Sequence, residues 1–280
     1  MNSLNTRIKR ELKEAGVRPN KLLGQHFLTS MSIYEKIVAA LDIQGGDKII
    51  EVGPGIGILT ELIAKQGADL FAVEKDKDFI PFLKHKFKNQ ENVKILEGDI
   101  LKFDPEKYGF KKGAYKIVGN IPYYLTSRLF RITLEDWPQA NLSVFMIQKE
   151  VAQRIVAQPP HMSLLGVSVQ YFAKPKVVSR VSKLSFHPVP KVDSAIVRLT
   201  PNDEPHQKEY DEKFFKVLKV GFAGKRKQLI NNLHSGLKED KQEIEKKLNS
   251  IGINSQRRAE TLTIEEWQKI TELFNSTGSL

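Results

Sequence analysis

The stretch over residues 48–58 that reads Lys-Ile-Ile-Glu-Val-Gly-Pro-Gly-Ile-Gly-Ile decides the fold. Its first five residues are rich in apolar and β-branched side chains and predict a strand, and a helical pattern follows the last glycine. Three glycines, Gly53, Gly55 and Gly57, allow a sharp turn between the two elements and a close approach of the main chain to a ligand. Because open α/β sheets bind ligands at the carboxyl ends of their strands, this turn predicts a binding site.

The same rhythm continues along the chain from Asp47 to Thr200. Short β-rich runs alternate there with helical stretches, which predicts a mostly parallel sheet covered by helices on both faces. The predicted strands are 48–52, 69–73, 92–96, 115–118 and 142–147, with helices over 58–66 and 81–88. Two later runs, 176–180 and 194–199, predict a hairpin-like addition at one edge, which would make the sheet mixed.

The pattern changes after a polar segment bounded by prolines, residues 201–205. Residues 210–280 show helical periodicity with almost no strand signal. We therefore expect an α/β domain over 1–203 and a small all-α domain over 204–280.

The charge of the chain points to a polyanionic partner. Lys and Arg number 44 against 33 Asp and Glu, which gives a net charge of +11, and such a surplus favours contacts with phosphates. The positive charge is concentrated near the N-terminus and in one compact later run. The residues we expect to contact such a partner, a nucleic acid above all, are Arg7, Lys9, Arg10, Lys225, Arg226 and Lys227.

The composition also excludes several classes of site. The chain has no cysteine, which excludes disulfides, thiolate nucleophiles and cysteine-ligated metals and fits a reducing cytoplasm. No histidine has the spacing of a metal site, so we expect no metal. No window reaches the roughly 18 apolar residues of a membrane helix, and the polar, basic N-terminal segment predicts no secretory signal.

The glycine turn departs from the known phosphate-binding patterns. The dinucleotide fingerprint requires a glycine where Ile58 or Thr60 stands, and Pro54 has no N–H to donate to a pyrophosphate. The Walker lysine pattern is absent as well. The spacing suits a ligand without a phosphate at the turn, and S-adenosylmethionine is such a ligand. An oxidoreductase that uses a nicotinamide cofactor is correspondingly disfavoured.

Two acidic residues follow the next two predicted strands. Glu74 ends the second strand, where a carboxylate can accept hydrogen bonds from both ribose hydroxyls. Asp99 follows the third strand and can accept a hydrogen bond from an adenine amino group. Their order behind the glycine turn favours a nucleoside-binding role for both.

Residues 120–123, Asn-Ile-Pro-Tyr, follow the fourth predicted strand. The side-chain oxygen of Asn120 and the carbonyl of Ile121 can accept hydrogen bonds from an exocyclic amine, which is a poor nucleophile without such help. Pro122 stiffens the turn, and Tyr123 offers a flat face for a base taken out of its stack. Methyl transfer at this turn would depend on positioning and electrostatics.

With these motifs, the sequence resembles the small-subunit ribosomal RNA adenine N6,N6-dimethyltransferase family over nearly the whole chain. Residues 23–28, Leu-Gly-Gln-His-Phe-Leu, are similar to the family motif that packs over the methionine part of the cofactor, with His26 where the family usually has Asn. Residues 186–194 resemble the family loop whose phenylalanine helps to sandwich the target base. Residues 222–232 and 257–262 resemble its small domain that contacts ribosomal RNA.

The resemblance implies a Rossmann-like S-adenosylmethionine-dependent methyltransferase with a mostly parallel seven-stranded sheet and a small all-α C-terminal domain. The implied cofactor contacts are His26, Leu28, Gly53, Gly55, Glu74, Asp99 and Asn120. The implied catalytic residues are Asn120, Ile121, Pro122, Tyr123 and Phe186, with Tyr123 and Phe186 on the two faces of the target base.

The implied reaction is dimethylation of the N6 amines of two adjacent adenines in the 3′-terminal hairpin loop of small-subunit (16S-type) RNA. The expected setting is a pre-30S-like particle in the cytoplasm, with the protein acting as a monomer away from membranes. Two alternatives stay open at this point. One is a large-subunit RNA adenine methyltransferase that confers antibiotic resistance, and the other is an assembly factor that mainly binds RNA.

Overall fold

The computed structural model describes residues 4–20, 24–203 and 206–276. The chain divides into two compact units, of which the first comprises Met1–Ala152 and Lys174–Pro201. The second comprises Gln153–Ala173 and Asn202–Leu280. Among the described residues, no helix is both long enough and apolar enough to cross a lipid bilayer.

Strands and helices alternate over the first part of the chain, and in the part of the chain that the structure describes helices alone follow after the last strand. The strands are β1 (Phe27–Leu28), β2 (Lys48–Val52), β3 (Asp69–Glu74), β4 (Val93–Glu97), β5 (Lys116–Asn120), β6 (Leu142–Gln148), β7 (Ala173–Val181), β8 (Phe186–His187) and β9 (Ser194–Pro201). The first six helices are α1 (Leu4–Glu14), α2 (Met31–Leu41), α3 (Ile58–Ala64), α4 (Phe79–Lys86), α5 (Thr126–Arg131) and α6 (Lys149–Ile155). The remaining helices are α7 (Leu164–Phe172), α8 (Lys208–Gly221), α9 (Leu229–Leu237), α10 (Lys241–Ser250) and α11 (Ile264–Ser276).

The main sheet has seven strands in the order β4-β3-β2-β5-β6-β9-β7. The strands from β4 to β6 run parallel, and β9 pairs antiparallel with β6. The predicted mixed sheet of α/β type is therefore confirmed, with the two late runs together at one edge. The predicted boundaries of the earlier strands and helices are within two residues of the observed ones, which is the usual uncertainty at element ends.

The central strands are buried because helices cover both faces of a parallel sheet. In β2 and β5, Ile49, Ile50, Ile117 and Val118 are fully buried. The carboxyl ends of β4, β3, β2 and β5 lie side by side in the sheet order. The polar residues that the sequence places after these four strands are therefore brought to one edge.

The second unit is helical, and it begins earlier in the chain than the sequence predicts. The prediction assigned residues 153–173 to the α/β domain, whereas they belong to the second compact unit. The ring of Tyr171 in α7 stacks on Phe214 in α8 with 4.1 Å between centroids, and its hydroxyl donates to Asp211 over 2.6 Å. These contacts join segments about 40 residues apart, which a reading of local periodicity does not detect. Residues 204 and 205, at the predicted boundary, lie outside the described residues.

Candidate functional site

A cleft opens at the carboxyl edge of the sheet in the first unit. It encloses about 1230 Å³ of empty space, a figure that includes space open to solvent. All of the predicted cofactor-binding and catalytic residues line it: His26, Leu28, Gly53, Gly55, Glu74, Asp99, Asn120, Ile121, Pro122, Tyr123 and Phe186. The structure thus brings these residues together in one cleft.

The three glycines of the turn after β2 have different surroundings. All three have positive φ, at 67° for Gly53, 57° for Gly55 and 76° for Gly57. A Cβ on Gly53 would meet no atom within 4 Å, whereas a Cβ on Gly57 would lie 2.7 Å from Cε2 of Phe87. Gly53 therefore keeps space open for a ligand, and Gly57 is needed for close packing against the ring of Phe87.

The Glu74 carboxylate stands at the end of β3 beside this turn. Its Oε2 accepts a hydrogen bond from the main-chain N–H of Gly55 over 3.0 Å, and its Oε1 accepts one from Asp76 over 2.8 Å. Burial raises its pKa, while these main-chain hydrogen bonds act in the opposite direction. A main-chain hydrogen bond from Lys75 acts in the same direction, and since a carboxylate offers about four acceptor positions, these partners leave acceptor capacity for a ligand.

Asp99 follows β4 and begins a short 3₁₀ helix. Its Oδ1 accepts from the N–H of Leu101 over 3.0 Å, and its Oδ2 lies 2.9 Å from Nζ of Lys75. Burial raises the pKa of Asp99, but the hydrogen bonds from Lys75 and Leu101 outweigh it and leave the pKa below its ordinary value. The side chain is therefore a carboxylate held in place at the rim of the cleft.

The amide of Asn120, at the end of β5, has a defined orientation. Its Nδ2 donates a hydrogen bond to the main-chain carbonyl of His26 over 3.0 Å. A carbonyl can only accept, so the nitrogen must be on this side and the amide oxygen is directed elsewhere. Asn120 lines the cleft, and its oxygen is thus an acceptor at the site where the sequence predicts one.

His26 also contacts the turn through its ring. Nδ1 donates to the carbonyl of Pro188 over 2.7 Å, and the ring lies alongside Tyr123 with 6.1 Å between centroids and 26° between planes. The Tyr123 hydroxyl lies 2.9 Å from Oγ of Ser194. The ring beside Tyr123 is therefore that of His26, while Phe186 is 3% exposed at the inner wall. The sandwich of Tyr123 and Phe186 around a base stays a prediction.

The segment that carries His26 is paired with the loop that carries Phe186. Strands β1 and β8 run antiparallel, with Phe27 opposite His187 and Leu28 opposite Phe186. This two-residue pairing holds two sequence motifs about 160 residues apart against each other at the cleft. It explains why both motifs occur in one site.

Glu51 is a cleft residue to which the sequence analysis assigned no separate role. It is 1% exposed and accepts a hydrogen bond from Oγ1 of Thr60 over 2.7 Å. Burial, with a smaller contribution from the Glu74 carboxylate, raises its pKa to about 8. Its place in the glycine motif, immediately before the strand ends, was the signal that could have identified it.

A set of ion pairs connects helix α1 with the glycine turn. Nζ of Lys86 donates to the carbonyl of Ile56 over 2.8 Å and to Glu11 over 2.7 Å. Arg7 is ion-paired with Glu11 and Glu61. The guanidinium of Arg7, a predicted RNA contact, is thus engaged in a structural network, and we leave it out of the proposed RNA surface.

The other predicted RNA contacts are accessible. Lys9 and Arg10 are exposed in α1, and Lys225, Arg226 and Lys227 are exposed before α9 in the second unit. Arg10 forms an ion pair of 3.5 Å with Glu14, which is itself exposed. A surface ion pair of this kind contributes little and is readily exchanged for a phosphate.

Comparison with known proteins identifies the family to which this chain is related. The family model described as ribosomal RNA adenine dimethylase matches residues 16–276. The chain belongs to the ribosomal RNA adenine dimethylase family. The resemblance read from the motifs is thereby confirmed, and this dimethylase is an enzyme dependent on S-adenosylmethionine.

Individual relatives of the dimethylase cover almost its full length. The ribosomal RNA small subunit methyltransferase A of Dehalococcoides mccartyi is 42% identical over 97% of this chain and 94% of its own. The crystal structure of a dimethyladenosine transferase from Plasmodium falciparum has a TM-score of 0.78 at 26% identity, covering 90% of this chain and 98% of that one. The crystal structure of the 23S rRNA methyltransferase ErmE has a TM-score of 0.71 at 24% identity, covering 89% and 99%, and it shows the shared fold alone.

The cleft residues of the dimethylase suit S-adenosylmethionine. The open space over Gly53 admits a ligand close to the main chain, since a Cβ there would meet no atom within 4 Å. The buried carboxylate of Glu74 has unused acceptor positions for a ribose, and Asp99 presents a fixed acceptor at the rim. These hydrogen-bond acceptors and the open space beside them therefore fit the cofactor that the family uses.

Proposed function

We propose that this dimethylase methylates the N6 amines of two adjacent adenines in the 3′-terminal hairpin loop of small-subunit ribosomal RNA. Support for the small subunit comes from relatives named as small subunit methyltransferases, one of them 42% identical over nearly the whole chain. The single observation that carries the chemistry is the Nδ2 hydrogen bond of Asn120 to His26, because it leaves the amide oxygen as an acceptor in the cleft.

The proposed roles at the catalytic turn follow from this arrangement. S-adenosylmethionine supplies an electrophilic methyl group on a positively charged sulfur. Asn120 Oδ1 and the Ile121 carbonyl accept the hydrogens of the adenine amine, which makes its lone pair more available. Pro122 keeps the turn rigid, and Tyr123 provides a flat surface beside the extruded base. Such pre-oriented groups contribute because they need no rearrangement during the reaction.

The proposed cofactor contacts line the same cleft, and Asn120 is one of them. Glu74 accepts the two ribose hydroxyls with the positions left free by its main-chain partners, and Asp99 accepts from the adenine amine. Gly53 leaves room for the cofactor at the end of β2, and Gly55 lines the same cleft while its N–H holds the Glu74 carboxylate. His26 and Leu28 line the same end of the cleft, and Phe186 bounds the base on its inner side.

The proposed RNA contacts are exposed cations, of which each unit carries its own group. Lys9 and Arg10 belong to the first unit and Lys225–Lys227 to the second. Binding through phosphates is steeply dependent on salt and suits a folded RNA that is recognised largely by its shape. We further infer that the enzyme acts as a monomer in the cytoplasm, on a precursor of the small subunit during its biogenesis.

The reaction is tested by incubating the protein with undermethylated small subunits and labelled S-adenosylmethionine. We expect N6,N6-dimethyladenosine at two neighbouring positions after digestion of the RNA. Large subunits treated in parallel should remain unlabelled. Dimethyladenosine confined to large-subunit RNA would instead identify the resistance type of enzyme, and tight RNA binding without label would favour an assembly factor.

The RNA surface is tested by the salt dependence of binding to the same particles. Replacing Lys225 with Gln should weaken binding at low salt and lower the slope of log affinity against log salt by about one unit. Lys246→Gln is the matched control, since this exposed lysine of the same unit lies outside the proposed RNA contacts. Equal slopes for the two variants would contradict the assignment.

A further inference from the structure

Tyr124 is an exposed aromatic residue at the rim of the cleft. Its side chain is 58% exposed, although it follows directly after the half-buried Tyr123 of the catalytic turn. Isolated exposed apolar residues are common on protein surfaces. Tyr124 differs from these because it lines the cleft itself, and neither the cofactor nor the target base accounts for it.

The local structure holds the Tyr124 ring in place. Tyr123–Leu125 form a 3₁₀ helix in which the N–H of Leu125 donates to the carbonyl of Pro122 over 2.9 Å. The ring atoms Cδ1 and Cε1 lie 3.7 Å from the position of a Cβ on Gly24. One part of the ring therefore packs over the main chain of Gly24, and the remainder is available to a ligand.

A cation accompanies this ring. Arg128 is exposed and lies four residues further along, where α5 continues the 3₁₀ helix, so the two side chains share one face. The pKa of the Lys75 ammonium is raised chiefly by Asp99, and smaller effects come from the Tyr124 hydroxyl, which raises it, and from the Arg128 guanidinium, which lowers it. An aromatic face and a guanidinium thus occur together beside the turn that receives the target base.

A base and its phosphate are the ligand that this pair of groups fits. Enzymes that modify a base within RNA must take it out of its stack, and the neighbouring nucleotide then loses its stacking partner. Unstacked bases in RNA loops are commonly bound on aromatic side chains, with arginine at the backbone. An apolar peptide would instead require a wider hydrophobic surface without the adjacent cations.

We propose that Tyr124 is the stacking platform for the nucleotide next to the target adenine, and that Arg128 binds the phosphate beside it. This inference rests on the proposed function, because the target must be an adenine within an RNA loop. If two adjacent adenines are modified, the base on Tyr124 is the second of them. Tyr124 and Arg128 are then positioning residues that act on the RNA, while the methyl transfer takes place at Asn120.

The first test compares Tyr124→Ala, Tyr124→Phe and wild type on undermethylated small subunits. Loss of one stacked base should raise KM for the subunit by roughly 5- to 150-fold. The kcat at saturating subunit and the affinity for S-adenosylmethionine should change little. Tyr124→Phe should restore KM, because stacking needs the ring and not the hydroxyl.

The competing explanation is that Tyr124 only supports the catalytic turn. In that case Tyr124→Ala would lower kcat at saturating subunit while KM stayed constant, and that result would overturn the proposal. Tyr108→Ala is the matched control, because it removes a tyrosine that is 42% exposed and lies outside the cleft lining. It should leave KM unchanged even if it lowers stability.

The second test addresses Arg128 with Arg131→Gln as control. Arg131 belongs to the same helix and lies about one turn further from Tyr124 than Arg128 does. Arg128→Gln should lower the slope of log KM against log salt by about one unit, and Arg131→Gln should leave it unchanged. Equal slopes would overturn the phosphate assignment. If the proposed function itself were wrong, wild type would form no dimethyladenosine on these particles. That outcome is distinct from a wrong assignment of Tyr124 or Arg128.

Discussion

The side-chain amide of Asn120 is tied by its nitrogen to the main-chain carbonyl of His26, over 3.0 Å. The two residues are 94 positions apart in the sequence, and their contact fixes the amide nitrogen against the main chain and leaves the amide oxygen to accept other hydrogen bonds. The orientation of the proposed catalytic acceptor therefore depends on the segment around His26 as much as on the turn to which Asn120 belongs.

Asn120→Ala should abolish most of the activity without unfolding the protein. Removal of one pre-oriented hydrogen-bonding group from an active site typically lowers kcat about 10²- to 10³-fold. Steady-state kinetics with undermethylated small subunits measure the effect. Asn92→Ala is the structural control, because the Asn92 amide donates to the carbonyls of Ala64 and Ala68. It should lower Tm while kcat stays near the wild-type value.

Glu74→Gln should weaken the binding of S-adenosylmethionine by about 1–3 kcal/mol, since a charged acceptor of hydrogen bonds is replaced by a neutral one. Calorimetry on the folded variant measures this directly. Glu97 is the residue opposite Glu74 in the sheet, where β3 and β4 end together, and it lies outside the cleft lining. Glu97→Gln should bind the cofactor normally. Equal affinity of Glu74→Gln and wild type would refute the ribose assignment.

The buried carboxyl of Glu51 should make the free energy of unfolding depend on pH. Its pKa is about 8 in the folded protein, above the ordinary value of 4.5, because burial disfavours the charged form. The stabilising contribution of the neutral carboxyl is complete below about pH 4.5 and is lost as pH rises through about 8. The loss can reach about 1.4 kcal/mol per pH unit within this window.

Glu51→Gln, which stays neutral, should remove this dependence. The free energy of unfolding of the variant, minus that of wild type, should grow between pH 5 and pH 8 and level off above it. Urea denaturation at several pH values measures the difference. A constant difference across this range would mean that Glu51 is ionised in the folded protein at neutral pH.

Gly57→Ala should destabilise the protein more than Gly67→Ala does. Both glycines have positive φ, at 76° and 78°, but a Cβ on Gly67 would meet nothing within 4 Å, whereas one on Gly57 would press against Phe87 and Leu83. The added overlap should cost about 1–3 kcal/mol beyond the backbone strain that the two variants share. Denaturant unfolding compares the two variants. Equal decreases in the free energy of unfolding would show that the side chains of Phe87 and Leu83 move aside at little cost.

Much of the site could be predicted because polar residues after successive parallel strands meet at one edge of a sheet. Glu74, Asp99 and Asn120 were located in this way, and all three line the cleft. The pairing of β1 with β8 could not be found from the pattern, since two residues carry no periodicity. The assignment of α7 to the second unit depends on contacts of Tyr171 that only the folded chain reveals.

The positive charge of a segment was the weakest guide to which residues contact RNA. Arg7 looked like a phosphate contact because it lies in a basic segment, but in the fold its guanidinium meets the carboxylates of Glu11 and Glu61. The cations of an amphipathic helix that packs on a domain can form ion pairs within the protein. Composition does not distinguish such cations from those that bind RNA.

The hydrogen bond from Lys86 to Ile56 sets a limit on how far the chain can be shortened from its beginning. Glu11 is the counterion of Lys86, so a truncated form starting at residue 15 would leave an uncompensated ammonium beneath the methyl-donor pocket. Such a form should lose affinity for S-adenosylmethionine in calorimetry, and it would also lack Lys9 and Arg10, two of the proposed RNA contacts in the same helix.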